Sequence, residues 1–239
     1  MNKSSETLST RLSALTFLVI AKRKKGVEAS MQYLKQLCPN VHVVFGQTGE
    51  PFPREYFGWS GDFLISYMSP WIIPKKLLDR ARIGSINFHP GPPQYPGVGC
   101  TNFALYNCEK DFGVTAHKME AKVDSGTICA VRRFPIYPDD TVLSLTNRCY
   151  DHIEELFRFV IAEYEKTGRL PISNETWTRK PYTRKQLNDL CRITYDMSEQ
   201  EIMRRVLATT YPGMPGPFIE LFGHRFELTK IDSKSTTSL

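Results

Sequence analysis

The chain has 239 residues, 41% hydrophobic and 23% charged, with 31 Lys and Arg against 25 Asp and Glu for a formal net charge of +6. This composition can fill a core and argues against disorder through most of the chain, and the length allows one full domain with a smaller lobe. The basic excess is mild where nucleic-acid binders concentrate Lys and Arg, so an anionic partner as small as a nucleotide satisfies it.

Residues 1–12 are polar and read as a mobile tail. The apolar run at 14–21 is too short to span a membrane, and Lys22-Arg23-Lys24-Lys25 follows it, the reverse of a signal peptide. A first strand at 15–21 is the better reading, with a cytoplasmic location and no membrane partner expected. Chains of this class often seat phosphate after the first strand, which makes Lys22 and Arg23 candidate substrate contacts; a solvated charge run is the alternative. Met31, Leu34 and Leu37 share one face of a helix expected over 28–37. Strands are expected at 41–46, 63–67 and 83–89, with a short helix opened by Pro74 over 74–81. Strands alternating with helices imply a parallel α/β sheet.

Two further strands are expected at 113–120 and 127–136, joined by the turn Val123-Asp124-Ser125-Gly126. A long helix over 141–167 carries the stripe Leu145, Cys149, Ile153, Leu156, Val160 and Tyr164, and Gly168 is a plausible stop. Beyond it lie a short helix at 183–190 and another at 198–209, where Ser198 and Glu201 suggest a capping box. A hairpin is expected from 218–222 and 225–231 around Gly223-His224. The expected organisation is therefore a tail (1–12), an α/β domain (13–168) and a small C-terminal α+β lobe (169–239). The hairpin's apolar face suits a second subunit, so a homodimer is expected. The six cysteines form no Cys-x-x-Cys pair and no Cys/His zinc spacing; reduced thiols and no metal are expected.

Chemistry concentrates in Asn87-Phe88-His89-Pro90-Gly91. Asn87 and His89 are two apart on a strand and so share a face. Pro90 cannot continue the ladder, which leaves both at the carboxyl end, where open α/β sheets bind ligands. An amide can steady an oxyanion while an imidazole moves protons near neutral pH. Asp124 could orient the imidazole, although spacing alone does not bring it near. Taken singly, a turn-capping amide, a strand-end histidine and a turn aspartate are each ordinary.

Taken jointly, Asn87-x-His89-Pro90, Gly113-Val114-Thr115-Ala116-His117 and Val123-Asp124-Ser125-Gly126 resemble the tetrahydrofolate-dependent formyltransferases. The loop Gly91-Pro92-Pro93-Gln94-Tyr95-Pro96-Gly97-Val98-Gly99 is more similar to their sugar-nucleotide N-formyltransferases than to members with Ser-Leu-Leu-Pro there. The resemblance implies a Rossmann-like catalytic domain with N10-formyltetrahydrofolate as formyl donor. It makes Asn87, His89 and Asp124 catalytic, and places a pterin slot along Ser66, Tyr67, Met68, Trp71 and Ile72 with backbone near Asp124. The implied acceptor is a sugar nucleotide such as dTDP-4-amino-4,6-dideoxyglucose, for O-antigen or other surface polysaccharide. The short C-terminal segment leaves no room for the longer C-terminal domain of the methionyl-tRNA enzymes. Tyr182 and Lys185 are candidates for the base and pyrophosphate of the acceptor. His117 fits the pattern too, but a structural histidine is at least as good a reading and it stays outside the catalytic set. Alternatives are another amine acceptor, such as glycinamide ribonucleotide, or a basic nucleic-acid-binding module.

Overall fold

Five consecutive apolar residues, Phe17–Ala21, form β1, buried on both faces as a central parallel strand must be. In the computed structural model, which describes residues 11–24 and 26–228, β1 pairs in parallel with β2 (Val41–Phe45) and β3 (Gly61–Tyr67). β3 pairs in parallel with β4 (Ala81–His89). β5 (Asp111–Lys118) and β6 (Ile128–Pro135) add on antiparallel, giving the order β2-β1-β3-β4-β5-β6. The chain leaves β1 toward β2 and β3 toward β4, on opposite sides, so the carboxyl ends of β1 and β3 border a switch point where α/β sheets open a crevice.

Alternation along the strands sorts the core. Phe17, Val19, Phe63, Ile65, Ile86 and Phe88 pack toward α1 (Val27–Leu37) and α4 (Val142–Thr167). Leu18, Ile20 and Leu64 face the other way, against Leu77 and Leu78 of α2 (Lys75–Leu78). α4 buries the whole expected stripe; Thr141 and Ser144 cap its start reciprocally, and the Gly168 N–H closes its end on the Tyr164 carbonyl at 2.8 Å.

Several elements differ from the expectation. α2 is a single turn, because Ala81 already belongs to β4. A seven-residue helix, α3 (Cys100–Tyr106), stands where no element was expected; its Thr, Asn, Phe and Tyr are weak helix formers. Residues 1–10 of the expected tail lie outside the described residues. Arg11 and Leu12 do not continue it: they open a 3-10 helix whose backbone N–H groups donate to Glu165 at 2.8 and 2.9 Å, with Leu12 fully buried. In α6 (Glu199–Thr209) the Ser198 side chain accepts from Glu201 N–H, but the Glu201 carboxylate does not complete the box. It takes Tyr106 Oη at 2.8 Å and Arg205 at 2.7 Å instead.

Residues after Gly168 pack back on the sheet. Tyr182 exchanges backbone hydrogen bonds with Pro96 and Val98, and Ser173 N–H donates to Ile128 O. α5 (Arg184–Cys191) starts on a Thr183–Gln186 capping box, and Tyr182 and Leu190 join the main core. β7 (Phe218–Leu221) and β8 (His224–Glu227) form the hairpin, turned by Phe222 and Gly223 at φ 48° and 81°. Residues 229–231 of the expected second strand lie outside the described residues.

Candidate active site

Strand register assembles the site. Asn87 on β4 lies opposite Ser66 on β3 and His117 on β5, and His89 lies opposite Thr115. Asn87, His89, Thr115 and His117 therefore share the sheet face away from α4, at the carboxyl end of β4. The connection after β5 turns back under this row and brings up Asp124, buried and at φ 43°, in the left-handed region that non-glycine residues rarely adopt. Gly126 makes the turn possible, since a Cβ there would stand 2.0 Å from the Lys118 carbonyl oxygen.

The Asp124 carboxylate is the hub. Its Oδ1 accepts from Asn87 Nδ2 at 3.3 Å and lies 3.2 Å from His117 Nε2. Its Oδ2 accepts from the Gly97 N–H at 2.7 Å and lies 3.3 Å from His89 Nδ1. Burial alone would raise this carboxyl's pKa. The charge on His89 is the largest opposing influence, and with the other groups around the carboxylate it holds Asp124 well below the usual carboxylate range. The other His89 nitrogen, Nε2, lies 2.9 Å from the Tyr95 carbonyl. Both ring nitrogens thus face acceptors, an arrangement only a doubly protonated ring satisfies on both sides.

The sequence reading placed Asn87, His89 and Asp124 as a set, and the fold brings all three together. His117, left outside that set, sits among them. Gly97, Tyr95 and Trp177 were missed. The Tyr95 carbonyl is steadied by its own side chain, whose hydroxyl donates to Glu109 at 2.7 Å. Trp177 comes from the segment after α4 and stands edge-on to His117 and His89, at 5.0 and 6.0 Å between ring centroids. Its Nε1 donates to Gly126 O at 2.8 Å. The Gly-rich loop was a signal for Gly97; nothing local marked Trp177.

The residues of the expected pterin slot divide between the two faces of the sheet. Ser66 is buried beside Asn87. Tyr67 points to the opposite face, where its ring packs on Phe88 and Phe157 and its hydroxyl meets Ser30 at 2.9 Å, so its side chain belongs to the core. Trp71 lies against Gly46 and donates to Glu50 O at 2.7 Å. Met68, at φ 53° on the carboxyl end of β3, and the exposed Ile72 are the apolar side chains left for a flat ligand.

Of the candidate acceptor contacts, Tyr182 is a correction. Phe103 stacks on it at 3.7 Å and the Arg179 guanidinium at 3.3 Å, so no ring face remains for a base. Arg23 lies over Phe45. Lys185 lies exposed on α5. Lys22, at the end of β1, is half-buried with Lys24 and Arg184 nearby; burial first, then those like charges, lower its pKa. Among the described residues no carboxylate pairs with it.

Residues 62–161 match the formyl transferase family. The methionyl-tRNA formyltransferase of Thermus thermophilus is 30% identical over 190 residues, 78% of this chain and 53% of its own length. The chain spans about half the length of the curated relatives it matches. A sugar N-formyltransferase from a Shewanella species superposes with a TM-score of 0.71 at 17% identity, covering 90% of this chain and 97% of that one. An N-formyltransferase from Helicobacter canadensis, solved with folinic acid and dTDP-3-aminofucose, gives 0.67 at 18% identity over 87% and 85%. No helix among the described residues is long and apolar enough to cross a membrane. Residues 62–161 are thus similar to the formyl transferase family, and the described chain has the fold of the N-formyltransferases.

Proposed function

We propose that this chain transfers a formyl group from N10-formyltetrahydrofolate to the amine of a nucleotide-linked amino sugar, with dTDP-4-amino-4,6-dideoxyglucose or a close relative as acceptor. The observation that carries the reading is the Asn87–His89–Asp124 cluster at the carboxyl end of β4. Met68 and Ile72, with backbone around Asp124, would hold the pterin, and the donor supplies the formyl carbon on N10. Lys22, half-buried beside Lys24 and Arg184 and with no carboxylate partner among the described residues, supports an anionic acceptor, because a pyrophosphate would relieve the repulsion of these like charges.

In this reading the acceptor amine forms a C–N bond to the formyl carbon and the C–N10 bond breaks. Asp124 takes the proton that the amine sheds. Asn87 gives the developing oxyanion the hydrogen now spent on its long 3.3 Å contact to Asp124. His89 protonates the departing nitrogen, and Asp124 restores that proton to Nδ1 across their 3.3 Å contact. The net result is one proton moved from amine to N10, with the centre unchanged.

The 30% identical methionyl-tRNA formyltransferase supports a second reading, with an aminoacyl-tRNA as acceptor. One assay separates the two: incubation with N10-formyltetrahydrofolate and a panel of 3- and 4-amino sugar nucleotides, glycinamide ribonucleotide and methionyl-tRNA, read by mass for one added formyl group. The sugar reading expects product with an amino sugar nucleotide alone, and formylated methionyl-tRNA without sugar product overturns it. Asn87→Ala should lower kcat by about 100- to 1000-fold, the loss typical of one oxyanion donor, with the fold intact by circular dichroism.

A further inference from the structure

The polar centre lies at the edge of the sheet, yet its titratable side chains are closed off from water: Asp124 is 6% exposed, His89 4% and His117 2%. Asn87 is partly exposed, which leaves the centre open along β3, toward Met68 and Ile72. On the β5 side the cover is Trp177. Its ring stands at 90° to His117 and 71° to His89, with centroids 5.0 and 6.0 Å away. Its Nε1 donates to Gly126 O at 2.8 Å, which ties the indole over the turn that carries Asp124. Thr176 and Thr178 on either side of it are exposed, and Trp177 itself is partly so. The indole therefore lies between bulk water and the two imidazoles.

We infer that the Trp177 indole is a water-excluding cover that makes the centre select an amine over water, so that the formyl group is transferred and not hydrolysed. The groups that take a proton from an amine would take one from water as readily. An O–C bond to the formyl carbon would then form, the C–N10 bond would break with a proton delivered to N10, and formate would leave, its remaining proton passing to solvent. The formyl donor, bound along β3, closes the open side, so the side under Trp177 is the remaining way in for water. A gap in place of the indole would be lined by two imidazoles and the Gly126 carbonyl, polar enough and roomy enough to hold water. The choice of amine over water rests on the formyl-transfer reading above; the covering of the centre does not.

The covering is tested first, on the protein without substrates, by exchange of the histidine Cε1 hydrogens in deuterated water, read by mass on peptides at the upper plateau of its pH dependence. The exposed His42 and His224 serve as references. In the wild type His89 and His117 should exchange at least about tenfold more slowly than these two, and Trp177→Ala should speed both by about fivefold or more without moving the references. Trp177→Phe, which keeps a ring but loses the bond to Gly126 O, should stay within about twofold of the wild type. Wild-type exchange in Trp177→Ala, or a Trp177→Phe protein as fast as Trp177→Ala, overturns the inference. Should Trp177→Ala fail to fold by circular dichroism, Trp177→Leu takes its place, with about threefold faster exchange expected and wild-type exchange overturning it. The second test follows formate and tetrahydrofolate released from N10-formyltetrahydrofolate with no acceptor present. Trp177→Ala should raise this release about tenfold or more, Trp177→Phe less than about threefold, and adding His89→Ala should abolish the gain, because water uses the same centre. Unchanged release in Trp177→Ala, with a raised KM for the acceptor instead, would make the indole an acceptor contact and overturns the inference. If neither the wild type nor any variant consumes the formyl donor, the function reading falls and the choice of amine over water with it, while the exchange rates still decide whether Trp177 covers the centre.

Discussion

Asp124 has two oxygens and four groups to serve: Asn87 and His117 on one, Gly97 N–H and His89 on the other. An asparagine there keeps the shape but replaces one acceptor with a donor and removes the negative charge beside His89. Asp124→Asn should therefore lower kcat by about 100-fold or more in the mass-read formylation assay. The same substitution should alter acid stability. The folded-state pKa of Asp124 lies below its unfolded value, so its contribution is complete above about pH 5 and is lost as pH falls through the carboxylate range toward the folded value. The thermal midpoint of the wild type should thus fall more steeply than that of Asp124→Asn between about pH 5 and pH 2. Parallel curves for the two proteins would show that the carboxylate is not held in the way described. Residue by residue, Asn87 and His89 were legible because strand alternation fixes which side chains share a face. The same rule sorts the expected pterin slot: Ser66 and Tyr67 are adjacent, so only Ser66 faces the site, and a run read as one apolar stretch concealed this.

At the scale of elements, the loop after β4 and the segment after α4 are laced together. Thr178 donates to Pro93, Tyr182 to Pro96 and Val98 to Tyr182, while Arg133 ties Gln94 on the loop to Glu175 on the segment. This lacing presents the Tyr95 carbonyl to His89 and the Gly97 N–H to Asp124. Gly97 sits at φ 90°, and a Cβ on it would lie 2.3 Å from the Tyr182 carbonyl oxygen. Gly97→Ala should destabilise the protein by about 1–3 kcal/mol in urea titration, with kcat falling as the Asp124 donor is displaced. An unchanged midpoint would mean that the lacing is loose. Long periodic elements such as α4 were readable because their pattern is local. The meeting of His89 and Asp124 was not, because it depends on β5 returning antiparallel along β4 in one register, which no local spacing encodes. α3 escaped notice for a related reason: its helix is stabilised by packing on α4 and α6, with Asn102 donating to Ala208 O at 2.8 Å, more than by its own residues.

Across the whole molecule, charges distant in sequence meet at the carboxyl end of β1, where Lys24 and Arg184, the latter from the start of α5, act on the half-buried Lys22. The hairpin is tied at β7 to the end of α5, with Ile193 N–H donating to Phe218 O at 2.8 Å and Arg192 pairing with Glu220, but its tip and β8 stand exposed. Phe222 at its tip is wholly exposed, and Phe226 and Met214 are more than half exposed. A homodimer closing on this hairpin remains our proposal; light scattering should give twice the chain mass for the wild type and the single-chain mass for the Phe222→Ser, Phe226→Ser double variant. A wild-type monomer at working concentration would remove it. Trp177 bears on a different question, that of the smallest piece able to function. A fragment ending at Gly168 would retain the entire formyl transferase match together with Asn87, His89, His117 and Asp124. It would also leave two buried imidazoles open on the side Trp177 now covers, and strip Tyr182 from the loop that supplies the Gly97 N–H. During synthesis the polar groups are thus made first and enclosed last, and the boundary of the matched domain is not the boundary of the working unit.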